Sequence, residues 1–233
     1  LNASTIRTLA IDGTGTVLLA GGVDTVNAID RSTDGGLNWS GSDAGITDDG
    51  FATEAIVISP SDADRAYAAV RSLQGQRLYG SEDGGQTWRD LEAVLGSTAA
   101  IERLQVHPTD PDTLYLVNAS GEVRKSTDAG VNWTLVTTGL PAGSVNVVAI
   151  DPGSPETLYA GGNNFGVYRT TNGAGNWSAI NSGDLGSGVL IESIGVNPHD
   201  TQQILAAGSW SLFRSIDGGV TWSQHAISGT VYG

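Results

Sequence analysis

Apolar residues along this chain come in short runs bounded by Gly, Pro, Asn and Asp, and two kinds of run alternate. One kind ends at a proline: Val57-Ile58-Ser59-Pro60, Gln105-Val106-His107-Pro108, Ala149-Ile150-Asp151-Pro152 and Gly195-Val196-Asn197-Pro198. A second apolar run follows within about ten residues, as in Thr113-Leu-Tyr-Leu-Val117 and Thr157-Leu-Tyr-Ala160. A shorter version near the start reads Leu9-Ala-Ile-Asp12 and then Val17-Leu-Leu-Ala20. Runs of four to seven residues, alternating or wholly apolar and framed by turn formers, predict strands.

Downstream of each pair of runs a third pattern recurs: Ser32-Thr-Asp-Gly-Gly-Leu-Asn-Trp39, Ser81-Glu-Asp-Gly-Gly-Gln-Thr-Trp88, Ser126-Thr-Asp-Ala-Gly-Val-Asn-Trp133, Thr170-Thr-Asn-Gly-Ala-Gly-Asn-Trp177 and Ser215-Ile-Asp-Gly-Gly-Val-Thr-Trp222. Successive tryptophans are 49, 45, 44 and 45 residues apart, so five of the six fall in one register. Each unit therefore reads strand, turn, strand, turn, strand, tight turn, strand. Four strands per ~45 residues is the size of a propeller blade. One blade cannot bury both of its faces, so neighbours must stack. Small or slim residues on the first strand (Ala10, Val57, Ala149, Gly195) suit close sheet-on-sheet packing. The expected fold is all-β: a five-bladed propeller of four-stranded antiparallel blades filling residues 1–233 as one domain. The blades are expected near 4–45, 52–95, 99–140, 144–184 and 189–229. An arc of a larger propeller is the alternative.

Composition sharpens this picture. The 33 glycines supply turns, as a many-stranded protein requires. Eleven basic against 25 acidic residues give a net charge of −14, which disfavours nucleic acid and anionic membrane surfaces as partners. Cysteine is absent, which removes disulfides, thiolate metal sites and cysteine nucleophiles. No run approaches the ~18 apolar residues of a membrane-spanning helix, and no signal-peptide pattern precedes Leu1. The expectation is a monomer of extracellular or periplasmic, bacterial type whose signal peptide is not in this chain.

The pattern Ser-x-Asp-x-Gly-x-Thr/Asn-Trp resembles the Asp box, or bacterial neuraminidase repeat, and the resemblance covers essentially the whole chain. Its mechanics are local. The carboxylates of Asp34, Asp83, Asp128 and Asp217 accept backbone N–H bonds and fix the turn, the following glycines take positive φ, and Trp39, Trp88, Trp133, Trp177 and Trp222 cover the hairpin. In the fourth box Asn172 replaces Asp and Ala174 replaces Gly, so a distorted turn, or one whose flexible point moves to Gly173 or Gly175, is expected there. These loops are read as folded hairpins that need no cofactor; calcium binding by the acidic loops is the alternative. In proteins with this repeat the boxes face away from the ligand site.

Blade sequences such as Ile150-Asp-Pro-Gly-Ser-Pro-Glu-Thr-Leu-Tyr-Ala-Gly161 and Gly166-Val-Tyr-Arg-Thr170 are similar to those of xyloglucanase-like glycosidases, which place paired acids between two propellers. Sialidases clamp a substrate carboxylate with three arginines, but the Arg-Ile-Pro element that opens them is missing here, and Ile6-Arg7-Thr8 does not replace it. Photosystem II assembly factor-like propellers are a third resemblance; they use a basic patch, which this acidic composition is not expected to provide. His107, His199 and His225 are scattered over different repeats and read as loop residues.

Repeat alignment nominates a site opposite the boxes. Aligning first strands on Ile11, Ile58, Val106, Ile150 and Val196 puts Arg7, Glu54, Glu102, Asn146 and Glu192 at one position, at the loop end of the innermost strand. Aligning third strands on the boxes pairs Phe165 with Trp210 in adjacent blades. Together these predict an aromatic shelf beside an acidic cup, suited to a neutral or basic sugar. The function expected is a non-catalytic module that binds a glycan or a protein on this face, with no catalytic residue assigned. The alternative is a glycoside hydrolase domain, xyloglucanase- or sialidase-like, using the channel-mouth carboxylates.

Overall fold

The doubly apolar runs and the turn residues between them fold as antiparallel meanders, each four strands long. A computed structural model describes residues 5–23, 27–46, 52–72, 75–93, 95, 99–143, 145–208 and 211–226, and no helix occurs among them. The first meander is β1 (Thr5–Ile11), β2 (Leu18–Val23), β3 (Ile29–Ser32) and β4 (Ser40–Gly41). The second is β5 (Ala52–Ile58), β6 (Ala66–Ser72), β7 (Gly75–Ser81) and β8 (Arg89–Asp90). A single pair, Val23 with Ala52, joins these two into one eight-stranded sheet. Three separate four-stranded sheets follow. They are β9 (Ile101–His107), β10 (Asp110–Asn118), β11 (Val123–Ser126) and β12 (Thr134–Leu135); β13 (Val145–Ile150), β14 (Leu158–Gly162), β15 (Gly166–Thr170) and β16 (Ser178–Ala179); and β17 (Ser193–Val196), β18 (Ile204–Ala207), β19 (Ser211–Ser215) and β20 (Ser223–Ala226).

The chain forms two compact units: Leu1–Leu116 with Lys125–Thr134, and Val117–Arg124 with Leu135–Gly233. Within the first, each meander stacks on the next. Ile56 and Ile58 of β5 pack with Leu19 and Ile29 of the first meander, while their neighbours Ala55 and Val57 pack with Leu104, Val106 and Leu114 of the third. A strand buried on both faces has no polar side, which is why these runs are continuously apolar. Tyr67 is buried at the second of these contacts and donates its hydroxyl to the Pro111 carbonyl at 2.8 Å. Burial pushes its phenol up to about 12. In the second unit Tyr159 and Val167 of the fourth meander pack with Ile194, Ile204 and Phe213 of the fifth.

First strands β1, β5 and β13 share an irregularity. Their pairing slips between Ile6 and Thr8, between Thr53 and Ala55, and between Val145 and Val147. Each slip leaves one residue unpaired in the ladder: Arg7, Glu54 and Asn146. A β-bulge inserts an extra residue and re-aims its side chain. Three of the five aligned positions nominated from the repeat are therefore bulge residues.

Candidate functional site

In the first unit the bulges of β1 and β5 aim opposite charges at one another. Arg7 Nη1 donates to both Glu54 oxygens, at 2.8 and 2.7 Å. From β6, Arg71 Nη2 reaches Glu54 Oε1 at 2.5 Å, so one carboxylate holds two guanidiniums. The cluster lies in an open polar recess completed by Ala100, Ile101, Glu102 and Arg103. Arg103 donates to the Glu102 carbonyl at 3.3 Å. The recess thus brings together Arg7, Glu54 and Glu102 as nominated, but adds Arg71 and Arg103. In this recess three guanidiniums accompany two carboxylates, so it is locally cation-rich where the sequence suggested carboxylates alone beside Arg7. A net charge of −14 concealed this local excess because it averages over the whole surface.

The other nominated residues lie in the second unit. Asn146 Nδ2 donates to Asn163 Oδ1 at 3.1 Å and to the Ile191 carbonyl at 3.3 Å. Glu192 donates its backbone N–H to Ala207 at 2.8 Å, just ahead of β17. Phe165 is buried, edge-on to Tyr168 at 5.3 Å between ring centroids, and its carbonyl accepts from Asn181 Nδ2. Phe165 is therefore not the exposed half of an aromatic shelf, and Trp210, the other half, lies outside the described residues. His107 is buried at the end of β9, its Nδ1 3.4 Å from the Thr109 N–H.

The box turns are built alike. In the first, Asp34 Oδ1 accepts from Ser32 Oγ at 2.8 Å and from the Asn38 N–H at 2.9 Å, while Oδ2 accepts from Asn38 Nδ2 at 2.7 Å. Asp83, Asp128 and Asp217 repeat this with Ser81 and Thr87, Ser126 and Asn132, and Ser215 and Thr221. The Asn38 N–H holds the Asp34 carboxyl down at about 2, and the Thr221 hydroxyl does the same for Asp217. At Asp83 partial burial works against the shift but is outweighed by the bonds from Thr87 and Ser81, and the carboxyl again falls below its usual range. Both carboxylate oxygens are engaged inside the hairpin. The fourth box is not distorted, contrary to expectation. Asn172 Oδ1 accepts from Thr170 Oγ1 and the Asn176 N–H, and its Nδ2 donates to Asn176 Oδ1 at 2.7 Å, reversing the outer bond. Gly173 and Ala174 take φ of +64° and +70°, matching Gly218 and Gly219 at +68° and +86°.

The tryptophans do more than cover their hairpins. Trp88, Trp177 and Trp222 donate their indole N–H to Ser42, Val136 and Ile180, carbonyls that follow the preceding meander's fourth strand. Beside each lies a glycine with positive φ: Gly45, Gly139 and Gly183. A Cβ there would come within 1.9, 2.2 and 2.3 Å of the Trp88, Trp177 and Trp222 carbonyl oxygens respectively. Sequence reading missed this latch, although its signal is legible: Gly45, Gly139 and Gly183 each stand six residues after a box tryptophan.

Among the described residues no cluster of three or more His, Cys, Asp or Glu is placed to hold a metal ion. No helix among them is long and apolar enough to cross a membrane.

Comparison with known proteins adds a family and a fold. The family of the Photosynthesis system II assembly factor YCF48 matches residues 72–194. Among solved structures, an ancestral GH74 enzyme is similar with a TM-score of 0.72 at 18% identity, over 96% of this chain and 31% of that one. A YCF48 bound to D1 peptide is similar with a TM-score of 0.51 at 16% identity, over 96% and 84%. At such identities these likenesses speak to a propeller fold. Two curated fungal relatives are both named vacuolar protein sorting/targeting protein 10. The one from Schizosaccharomyces japonicus is 38% identical over 58 residues, 24% of this chain and 4% of that protein. The one from Talaromyces marneffei is 33% identical over 81 residues, 34% and 5%. The chain therefore spans about a twentieth of the curated relatives it matches, and about a third of the GH74 enzyme. These fungal matches overturn the expectation of an extracellular or periplasmic bacterial protein.

Proposed function

The chain belongs to the family of the Photosynthesis system II assembly factor YCF48, and from that premise we propose a non-catalytic, five-bladed protein-binding module that grips a carboxylate-bearing peptide in the Arg7–Glu54–Arg71 recess. The observation that carries this reading is the pair of facing bulges, which aim Arg7 and Glu54 into one cluster with Arg71. Glu54 orients both guanidiniums, and a pre-oriented guanidinium fork matches a carboxylate in two-point geometry. Arg103 adds a third donor group at the rim. A peptide is favoured over a sugar because Phe165, the described half of the aromatic shelf, is buried. The YCF48 structure with a D1 peptide supports the same class of ligand. A glycosidase would need a carboxyl group in an apolar setting to hold a proton. Glu54, between two guanidiniums, has the opposite surroundings.

The test is fluorescence anisotropy with labelled peptide panels that differ only in a free-acid or amidated C-terminus and in Asp or Asn content. Carboxylate-bearing members should bind, more weakly as salt rises. The Arg7→Ala/Arg71→Ala double variant should lose about tenfold or more in affinity, as expected for charge-assisted hydrogen bonds. Equal binding of acidic and amidated peptides, or full affinity in the double variant, would overturn the reading.

A further inference from the structure

Glu54 stands behind the guanidiniums that a ligand of the recess would meet first. Its side chain is 19% exposed, against 40% for Arg7 and 51% for Arg71. Arg7 spends only Nη1 on it, and Arg71 only Nη2. The other nitrogens of both forks are not used by Glu54, so an anion that reaches them comes to rest close to its carboxylate. The backbone on either side of Glu54 is held in place. Thr53 is buried and donates its hydroxyl to the Ala28 carbonyl at 2.7 Å, and Ala55 is buried against the third meander. The Glu54 carboxylate is therefore a fixed negative charge at the back of a cationic site.

Five charged groups line the recess: Arg7, Arg71 and Arg103 against Glu54 and Glu102, which leaves a net charge of one positive. Attraction to such a recess grows in proportion to the charge of a ligand, whereas the cost of desolvating that ligand grows with the square of its charge. A strongly cationic pocket therefore suits a dianion, and a weakly cationic one suits a single negative charge. A phosphate monoester carries about two negative charges at neutral pH, and a carboxylate one. Without the charge of Glu54 the recess would stand at two positive, and the balance would move toward phosphate. The same carboxylate that orients both forks for a carboxylate ligand thus counts against a more highly charged one.

We propose that Glu54 is the specificity-determining residue of the recess, restricting it to singly charged carboxylates and excluding phosphorylated peptides; this rests on the carboxylate-binding reading above. Repulsion of one further unit charge across a partly wet recess is worth about tenfold in affinity.

Three amidated, fluorescently labelled peptides of one sequence, carrying Glu, Gln or phosphoserine at one central position, test this by anisotropy. At about pH 7.5 the unaltered chain should bind the Glu peptide about tenfold more tightly than the phosphoserine peptide. Lowering the pH to about 5.5 removes most of the second phosphate charge, whose pKa is about 6. Phosphoserine affinity should then rise, whereas an arginine site with no carboxylate behind it would lose affinity. The charge lost is the ligand's own, the groups facing it are Arg7, Glu54, Arg71, Glu102 and Arg103, and the Glu peptide run alongside corrects for any change in the recess itself. Glu54→Gln, checked for an unchanged urea midpoint, should reverse both the order of the two peptides and the sign of the pH response; the pH series on the unaltered chain needs no variant. Tighter binding of phosphoserine by the unaltered chain, or an unchanged Glu-to-phosphoserine ratio in Glu54→Gln, would overturn the proposal and leave carboxylate binding standing. Equal binding of the Glu and Gln peptides would remove the carboxylate reading, and this proposal with it.

Discussion

Gly183→Ala tests whether the glycine latch holds successive meanders together. Gly183 has φ of +67°, and a Cβ would stand 2.3 Å from the Trp222 carbonyl oxygen and 3.1 Å from its nitrogen. Left-handed backbone costs a non-glycine residue about 1–2 kcal/mol. The clash adds to this because both atoms struck are backbone and cannot rotate away. Relief requires the two loops to separate, which sacrifices the bond from the Asp184 N–H to the Trp222 carbonyl at 2.9 Å. An unsatisfied buried group adds about 1–3 kcal/mol, for a total of about 2–5 kcal/mol. Gly218→Ala is the control. Its φ is +68°, but its Cβ would meet only the end of the Gln202 side chain at 3.1 Å. The sequence already places Ala129 at the equivalent turn position with φ of +58°. The control should cost about 1 kcal/mol, from strain alone. Urea unfolding followed by tryptophan fluorescence gives both values, compared at constant slope. If Gly183→Ala costs no more than Gly218→Ala, steric exclusion at the latch is not what selects glycine there.

Two pH dependences follow. The Asp34 and Asp217 carboxyls sit at about 2 when folded against an ordinary 3.8, so the box bonds stabilise fully above pH 4 and are lost as pH falls toward 2. Asp217→Asn should therefore destabilise less at pH 2.5 than at pH 7, and urea curves that fall in parallel for both chains would contradict this. At the alkaline end, Tyr67 is raised to about 12 against 10 when unfolded. Its contribution is present below pH 10 and lost between pH 10 and 12, and Tyr67→Phe should flatten that decline in the urea midpoint.

Much of the fold was legible because it rests on local signals. Box turns need only a carboxylate, a hydroxyl and glycines at fixed offsets, and even Asn172 satisfies the same geometry by reversing one bond. Strands buried on both faces, such as Ala55–Ile58, announce themselves as unbroken apolar runs. The site was legible only in part. Aligning the repeats found Arg7, Glu54 and Glu102, because equivalent residues in stacked units come close together. It did not find Arg71 or Arg103, which approach from other positions of the repeat. It also misjudged Phe165, since exposure of a loop aromatic depends on neighbours such as Asn181 that lie far along the chain.

The bulges explain why chemistry gathers where it does. In a meander stacked on both sides, regular strand positions are committed to packing: Ala55 to one neighbour, Ile56 to the other. Polar side chains there would be buried without partners, at a cost of several kcal/mol. A bulge adds a residue that belongs to neither face, so its side chain is exempt from the packing constraint. At this one repeat position the chain carries Arg7, Glu54 and Asn146, three different chemistries on one backbone irregularity. Their neighbours in the ladder remain Ile, Thr, Ala and Val. Changing Arg7 or Glu54 should therefore alter what the recess binds while leaving the stacking core intact, whereas moving the same charge one residue along the strand would disrupt the stack itself.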